Sequence, residues 1–85
     1  MILEVLTQKK VVHSGEVASV VLPADLGEMG LLAGHADYIV MLKKGIVRAS
    51  GRDGERRLLV DGGFAEVSND RITVLADAVA EAPEG

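Results

Sequence analysis

The sequence predicts an all-β domain, a flattened antiparallel β-sandwich or barrel of about eight to ten short strands. Turn signals recur about every eight to twelve residues along the chain. Between them lie short runs of β-branched and aliphatic residues, which suit a pleated, half-buried surface. No segment carries a helical apolar stripe over about eleven residues or more.

Residues 3–6 and 11–12 open the chain as short strands, and residues 16–22 form a β-branched run that stops at Pro23. Tyr38-Ile39-Val40-Met41-Leu42 is the next apolar run. Residues 46–50 follow it at once, so Lys44-Gly45 reads as a tight turn between two paired strands. Gly51-Arg52-Asp53-Gly54 is a stronger reversal, because Asp-Gly readily supplies the positive φ that short hairpins need. The chain returns through residues 57–60 to Asp61-Gly62-Gly63. Residues 64–67 and 71–75 then flank Ser68-Asn69-Asp70, another hairpin pattern. Residues 75–82 are rich in alanine and would also tolerate a helix. The domain is expected to span residues 1–80, with 81–85 as a frayed tail.

The chain has 85 residues, enough for one domain with a compact core. It is 48% hydrophobic but only 2% aromatic, so that core is aliphatic. A net charge of −4 leaves no basic excess to neutralise phosphates, which argues against nucleic acid. Tyr38 and Phe64 alone cannot build a stacking platform for single strands. Without cysteine there is no disulfide and no thiolate metal site. No apolar run reaches the eighteen or so residues of a membrane span, and Glu4 stands where a signal peptide would be basic. The expectation is a soluble, intracellular protein.

His13 and Ser14 are adjacent, but neighbouring strand residues point to opposite faces, so they do not make a base and nucleophile pair. His35 is the other histidine, and no acid stands at a recognisable metal-ligand spacing from either. Both read as ordinary surface or loop histidines. Gly27, Gly30 and Gly34 form a glycine-rich loop without the Lys-Ser or Lys-Thr ending of a phosphate cradle. Leu26, Met29, Leu31 and Leu32 give that loop an apolar character, with Glu28 as its one charge from residue 26 to 32. Such a loop either folds back onto the sandwich or meets a partner. The competing idea is a small carrier or interaction sandwich; for a biotinyl- or lipoyl-type carrier Lys43 would be the modified lysine at a hairpin tip, although Met41-Leu42-Lys43-Lys44 matches that pattern only in part.

Several segments, taken in order, resemble the N-terminal β-sandwich domain of the epsilon subunit of F-type ATP synthases. They are Ser14-Gly15-Glu16-Val17, Leu22-Pro23, Gly27-Glu28-Met29-Gly30-Leu31 and Gly34-His35-Ala36. Leu42-Lys43-Lys44-Gly45, Gly62-Gly63-Phe64-Ala65-Glu66-Val67 and Val74-Leu75-Ala76-Asp77 follow. Two positions depart from the pattern: Ala33 and Asp37 stand where the family usually has proline on either side of its Gly-His-Ala motif. The family's C-terminal pair of helices has no counterpart in these 85 residues.

The resemblance implies a non-catalytic rotor subunit of the central stalk, which binds the gamma subunit and the c-ring and couples proton-driven rotation to ATP synthesis. It implies a peripheral position on the cytoplasmic side of the energy-transducing membrane, most simply a bacterial inner membrane. Matched residue by residue, Glu28, Met29 and Gly30 fall in the loop that faces the c-ring. Thr7 falls on the face that approaches gamma, and His35 and Ala36 lie near the stalk interface. Leu31 and Leu32 are expected to add hydrophobic contact there. No cofactor or metal is implied, and without the helices no nucleotide binding or inhibition is expected of this chain.

Overall fold

The computed structural model describes residues 1–32 and 37–82, which form ten strands in two five-stranded sheets. In chain order these are β1 (Ile2–Leu6), β2 (Val11–Glu16), β3 (Ser19–Ala24), β4 (Gly27–Leu32) and β5 (Tyr38–Met41). The second half gives β6 (Gly45–Gly51), β7 (Gly54–Val60), β8 (Phe64–Ser68), β9 (Arg71–Leu75) and β10 (Val79–Glu81). The first sheet has the order β2-β1-β9-β8-β5 and the second β10-β7-β6-β3-β4.

Alternation along the strands puts the aliphatic residues between the sheets. Leu3 and Val5 of β1, Ile72 and Val74 of β9, and Ala65 and Val67 of β8 line one side of the core. Val20 and Leu22 of β3, Leu31 of β4, Val47 of β6, and Leu58 and Val60 of β7 line the other. No polar or charged residue is buried among the described residues, so the core is held by aliphatic packing alone.

Both expected hairpins form. Ser68 pairs with Arg71, and Asn69 and Asp70 take φ of 52° and 59°, the signature of a two-residue type I′ turn. Gly51 pairs with Gly54 across Arg52-Asp53, and the positive φ of 104° falls on Gly54. The expected tight turn at Lys44-Gly45 does not join a pair. β5 belongs to the first sheet and β6 to the second, so Leu42, Lys43 and Lys44 carry the chain across the sandwich. At that corner Leu42 N–H donates to Gly63 of one sheet, while Lys43 N–H donates to Pro23 of the other. Lys43 is therefore not at a hairpin tip, and the carrier reading loses its geometry.

Three further differences have physical causes. β1 pairs with β9 in parallel, the one exception to antiparallel pairing among the described strands. The alanine-rich end is a strand, not a helix, because β10 adds antiparallel to β7. Pairing there continues through Ala82 N–H to Arg57 O, beyond the expected boundary at residue 80. Finally, Gly27 and Gly30 of the glycine-rich segment lie in a strand rather than a loop, while Gly34 is outside the described residues. β4 hydrogen-bonds along its whole length to β3, and as an edge strand it tolerates glycine.

Candidate interaction surfaces

β3 and β4 form a hairpin whose tip projects Leu26 fully into solvent, with Gly27 at a φ of 131°. Strand alternation then separates the residues that follow. Glu28 and Gly30 face outward, while Met29 is half-buried and packs against the core. Glu28 accepts a hydrogen bond at 3.3 Å from Arg48 of β6, so its carboxylate is tethered in an exposed ion pair.

The same alternation splits the two leucines. Leu31 is 1% exposed and belongs to the core, so it cannot be the contact residue expected of it. Leu32, next to it, is 61% exposed. His35 and Ala36 lie outside the described residues, as do Ala33, Gly34 and the last three residues of the tail.

Between the edge strands β4 and β5 the sandwich is open, forming a shallow groove of about 660 Å³. Leu26 and Met29 line it from one sheet, and Tyr38, Ile39 and Met41 from the other. The Tyr38 hydroxyl is shut off from solvent without a hydrogen-bond partner among the described residues, and burial pushes its pKa up.

Thr7 follows the end of β1, and its hydroxyl accepts hydrogen bonds from Lys9 N–H at 3.2 Å and Lys10 N–H at 3.3 Å, shaping the turn into β2. Thr7 and Leu32 sit at opposite ends of the strands. Thr7 follows Leu6, which is in register through β9 and β8 with Met41, near the β3–β4 tip. Leu32 pairs with Ser19 at the far end of β3.

Sequence reasoning missed two features. On the outer face of the first sheet, Met41, Phe64, Leu75, Leu6 and Val11 stand in register across all five strands. On the open side opposite the groove, Arg56 of β7 contacts His13 of β2 and the Glu81 carboxylate of β10. Neither has a local signal, because the members of each are distant in sequence. His13 is thus a half-buried residue with a specific partner, while Ser14 is exposed. Among the described residues no group of three or more histidines and acids could hold a metal ion, and no helix is long and apolar enough to cross a membrane.

Comparison with known proteins supplies what these surfaces alone do not. The ATP synthase epsilon chain of Dichelobacter nodosus is 42% identical over 81 residues, covering 94% of this chain and 57% of that protein. The chloroplastic epsilon chain of Cyanidioschyzon merolae is 38% identical over 84 residues, covering 99% and 64%. The chain thus spans less than two thirds of the length of these curated relatives. Among solved structures, a chain of the Euglena gracilis mitochondrial ATP synthase, in a cryo-EM structure of OSCP, F1 and c-ring, superposes with a TM-score of 0.87. It is 27% identical, and the match covers 95% of this chain and 52% of that one. A chain of the Tetrahymena thermophila mitochondrial ATP synthase central stalk and c-ring shares the fold, with a TM-score of 0.78 at 9% identity, over 94% of this chain and 65% of that one. The family model for the ATP synthase delta/epsilon chain β-sandwich domain matches residues 1–82, and this chain belongs to that family.

Proposed function

We propose that this chain is a non-catalytic component of the rotor of a proton-translocating F-type ATP synthase, seated in the central stalk between the gamma subunit and the c-ring. The likeness to the Euglena chain carries this reading, since that chain belongs to an assembly containing F1 and a c-ring. A rigid sandwich with an aliphatic core and no buried charge suits a part that transmits torque. Its place would be peripheral, on the cytoplasmic side of the energy-transducing membrane, with nucleotide chemistry carried out by other subunits.

Glu28, with Met29 and Gly30 beside it, is assigned to the c-ring contact. Its position near the exposed Leu26 tip supports this, and the Arg48 pair holds the carboxylate in place. A single rim carboxylate sets register more than affinity. The gamma contact is assigned to Thr7 at one end of the strands and Leu32 at the other, and by resemblance to His35 and Ala36. One gamma surface touching both must follow the full length of the strands.

Titration calorimetry with the gamma subunit from the same source tests the proposal. A one-to-one complex, weakened by Thr7→Glu, is expected. No association at about tens of micromolar, the range of about 6 kcal/mol, with both partners folded, would overturn it.

A further inference from the structure

Of the chain's aspartates and its one asparagine, only Asp53 and Asp61 are followed by glycine. That pairing carries chemistry as well as turn geometry. With no side chain on the following residue, its amide nitrogen can approach the aspartate's own side-chain carbonyl carbon and close a cyclic imide. A larger residue follows Asp25, Asp37, Asn69, Asp70 and Asp77 and obstructs that approach.

The fold holds the two sites very differently. Asp53 lies at the tip of the β6–β7 hairpin, where Arg52, Asp53 and Gly54 are all exposed. A Cβ at Gly54 would meet nothing within 4 Å, so the nitrogen is open to approach. Neither Arg52 nor Asp53 makes a hydrogen bond or ion pair among the described residues, and opening the tip breaks only the Gly51–Gly54 pairing. Arg52 and Glu55 flank the site with opposite charges. Asp61, by contrast, lies in the crossing from β7 to β8. Its N–H donates to Ala78 O, and Gly63 O accepts from Leu42 N–H, so the segment is anchored on both sides. A Cβ at Gly62 would stand 2.8 Å from the Asp77 carboxylate. That carboxylate fills the approach, and its charge opposes ionisation of the Gly62 amide, the form that attacks.

We propose that Asp53-Gly54 is a self-modification site, at which aspartate converts to isoaspartate, while the fold protects Asp61-Gly62 from the same reaction. The Gly54 nitrogen bonds to Asp53 Cγ, and the amide proton and one solvent proton leave with a carboxylate oxygen as water. Water then opens the imide. Addition at Cγ restores aspartate. Addition at the main-chain carbonyl carbon breaks its bond to the Gly54 nitrogen, and the chain thereafter runs through Cγ. One water leaves and one enters, so no other reactant is consumed and the mass is unchanged. The product carries one extra main-chain carbon and a free α-carboxylate, in a tip whose Gly51–Gly54 register spans only Arg52 and Asp53.

The inference does not rest on the rotor proposal, and its test needs no partner subunit. The folded protein is aged in water labelled with heavy oxygen, then digested in ordinary water, and the two Asp-Gly peptides are analysed by mass spectrometry. Each ring opening retains one heavy oxygen, and electron-transfer fragmentation identifies isoaspartate. Label and isoaspartate are expected at Asp53 at least about tenfold faster than at Asp61, equivalent to about 1.4 kcal/mol in local opening and approach. In denaturing urea the two sites are expected to react within about threefold of one another, because the fold no longer separates them. Asp53→Glu, whose ring would be one atom larger, is expected to abolish label at residue 53 while keeping a native amide spectrum and leaving Asp61 unchanged. No label at Asp53 over a period that converts the urea-unfolded chain, or labelling of Asp61 at an equal or higher rate in the folded protein, would overturn the proposal. A tenfold preference that persists in urea would overturn the protective role given to the fold.

Discussion

Arg56, on β7 of one sheet, lies 3.0 Å through Nη1 from the ring Nδ1 of His13, on β2 of the other. A guanidinium can only donate, so Nδ1 accepts and the ring is neutral with its proton on Nε2. That Nε2 is shut off from solvent without a partner among the described residues. Arg56 also donates to the Glu81 carboxylate, which ties β10 into the same contact. The open side of the sandwich is thus clasped by one side chain that links its own strand to two others.

This clasp makes stability depend on pH. Burial, and secondarily Arg56, lower the His13 pKa in the folded protein, with Glu81 opposing them. The unfolded chain therefore takes up the proton first as pH falls through about 6.5. Above that value the contribution to stability is complete; it is lost progressively on acidification, until the folded pKa is passed. Urea melts between about pH 7.5 and 5.5 are expected to show a declining midpoint for the native sequence, with a shallower decline for His13→Gln. Parallel declines for the two proteins would remove His13 as the cause.

Gly63 and Gly30 respond oppositely to alanine. Gly63 has a φ of 104°, and a Cβ there would stand 2.1 Å from the carbonyl oxygen of Leu75, a backbone atom of the adjacent strand. Gly63→Ala is expected to cost more than about 2 kcal/mol through strain and loss of β8–β9 register. Gly30 has open space at its Cβ position and no positive φ, so Gly30→Ala is expected to be neutral or to stabilise by about 0.5 kcal/mol through the unfolded state. Thermal unfolding of the two variants side by side checks both signs.

These contrasts show which parts of the molecule were legible in the sequence. The turn at Asn69-Asp70 could be read because its chemistry is local: two left-handed residues reverse the chain and pair its flanks. Lys44-Gly45 looked equally clear, but a turn signal does not say which strands pair. Gly45 is there for packing, since a Cβ would come within 2.6 Å of the Pro23 ring. The parallel pairing of β1 with β9 joins the two ends of the chain and leaves no local trace. The apolar row from Met41 to Val11 across the first sheet is illegible for the same reason, because Leu6 and Leu75 become neighbours only in the folded register.

Asn69 offers a direct test of turn chemistry. At a φ of 52° a β-branched side chain is strained, and Asn69→Val is expected to destabilise by about 1–2 kcal/mol. Asn69→Gly, which enters the same region freely, is expected to leave stability within about 0.5 kcal/mol of the native value. A chemical-denaturation series of the three proteins separates them. Equal midpoints for valine and glycine would show that the left-handed conformation is not what this turn selects for.

Leu31 and Leu32 test whether β4 is a fixed edge strand or an adaptable apolar loop. The β3–β4 register sends Leu31 into the core against Val20 and its neighbours and leaves Leu32 outside. Leu31→Ala removes buried methyl groups and opens a cavity, so a loss of about 2–5 kcal/mol is expected. Leu32→Ala removes only a side chain that is 61% exposed, and a change within about 0.5 kcal/mol is expected. Because strand alternation is strict, a one-residue slip of β4 would exchange the two roles. Equal losses at the two positions would therefore mean that this register is not the one populated in solution, and the placing of Glu28 and Met29 on opposite sides of the strand would fall with it.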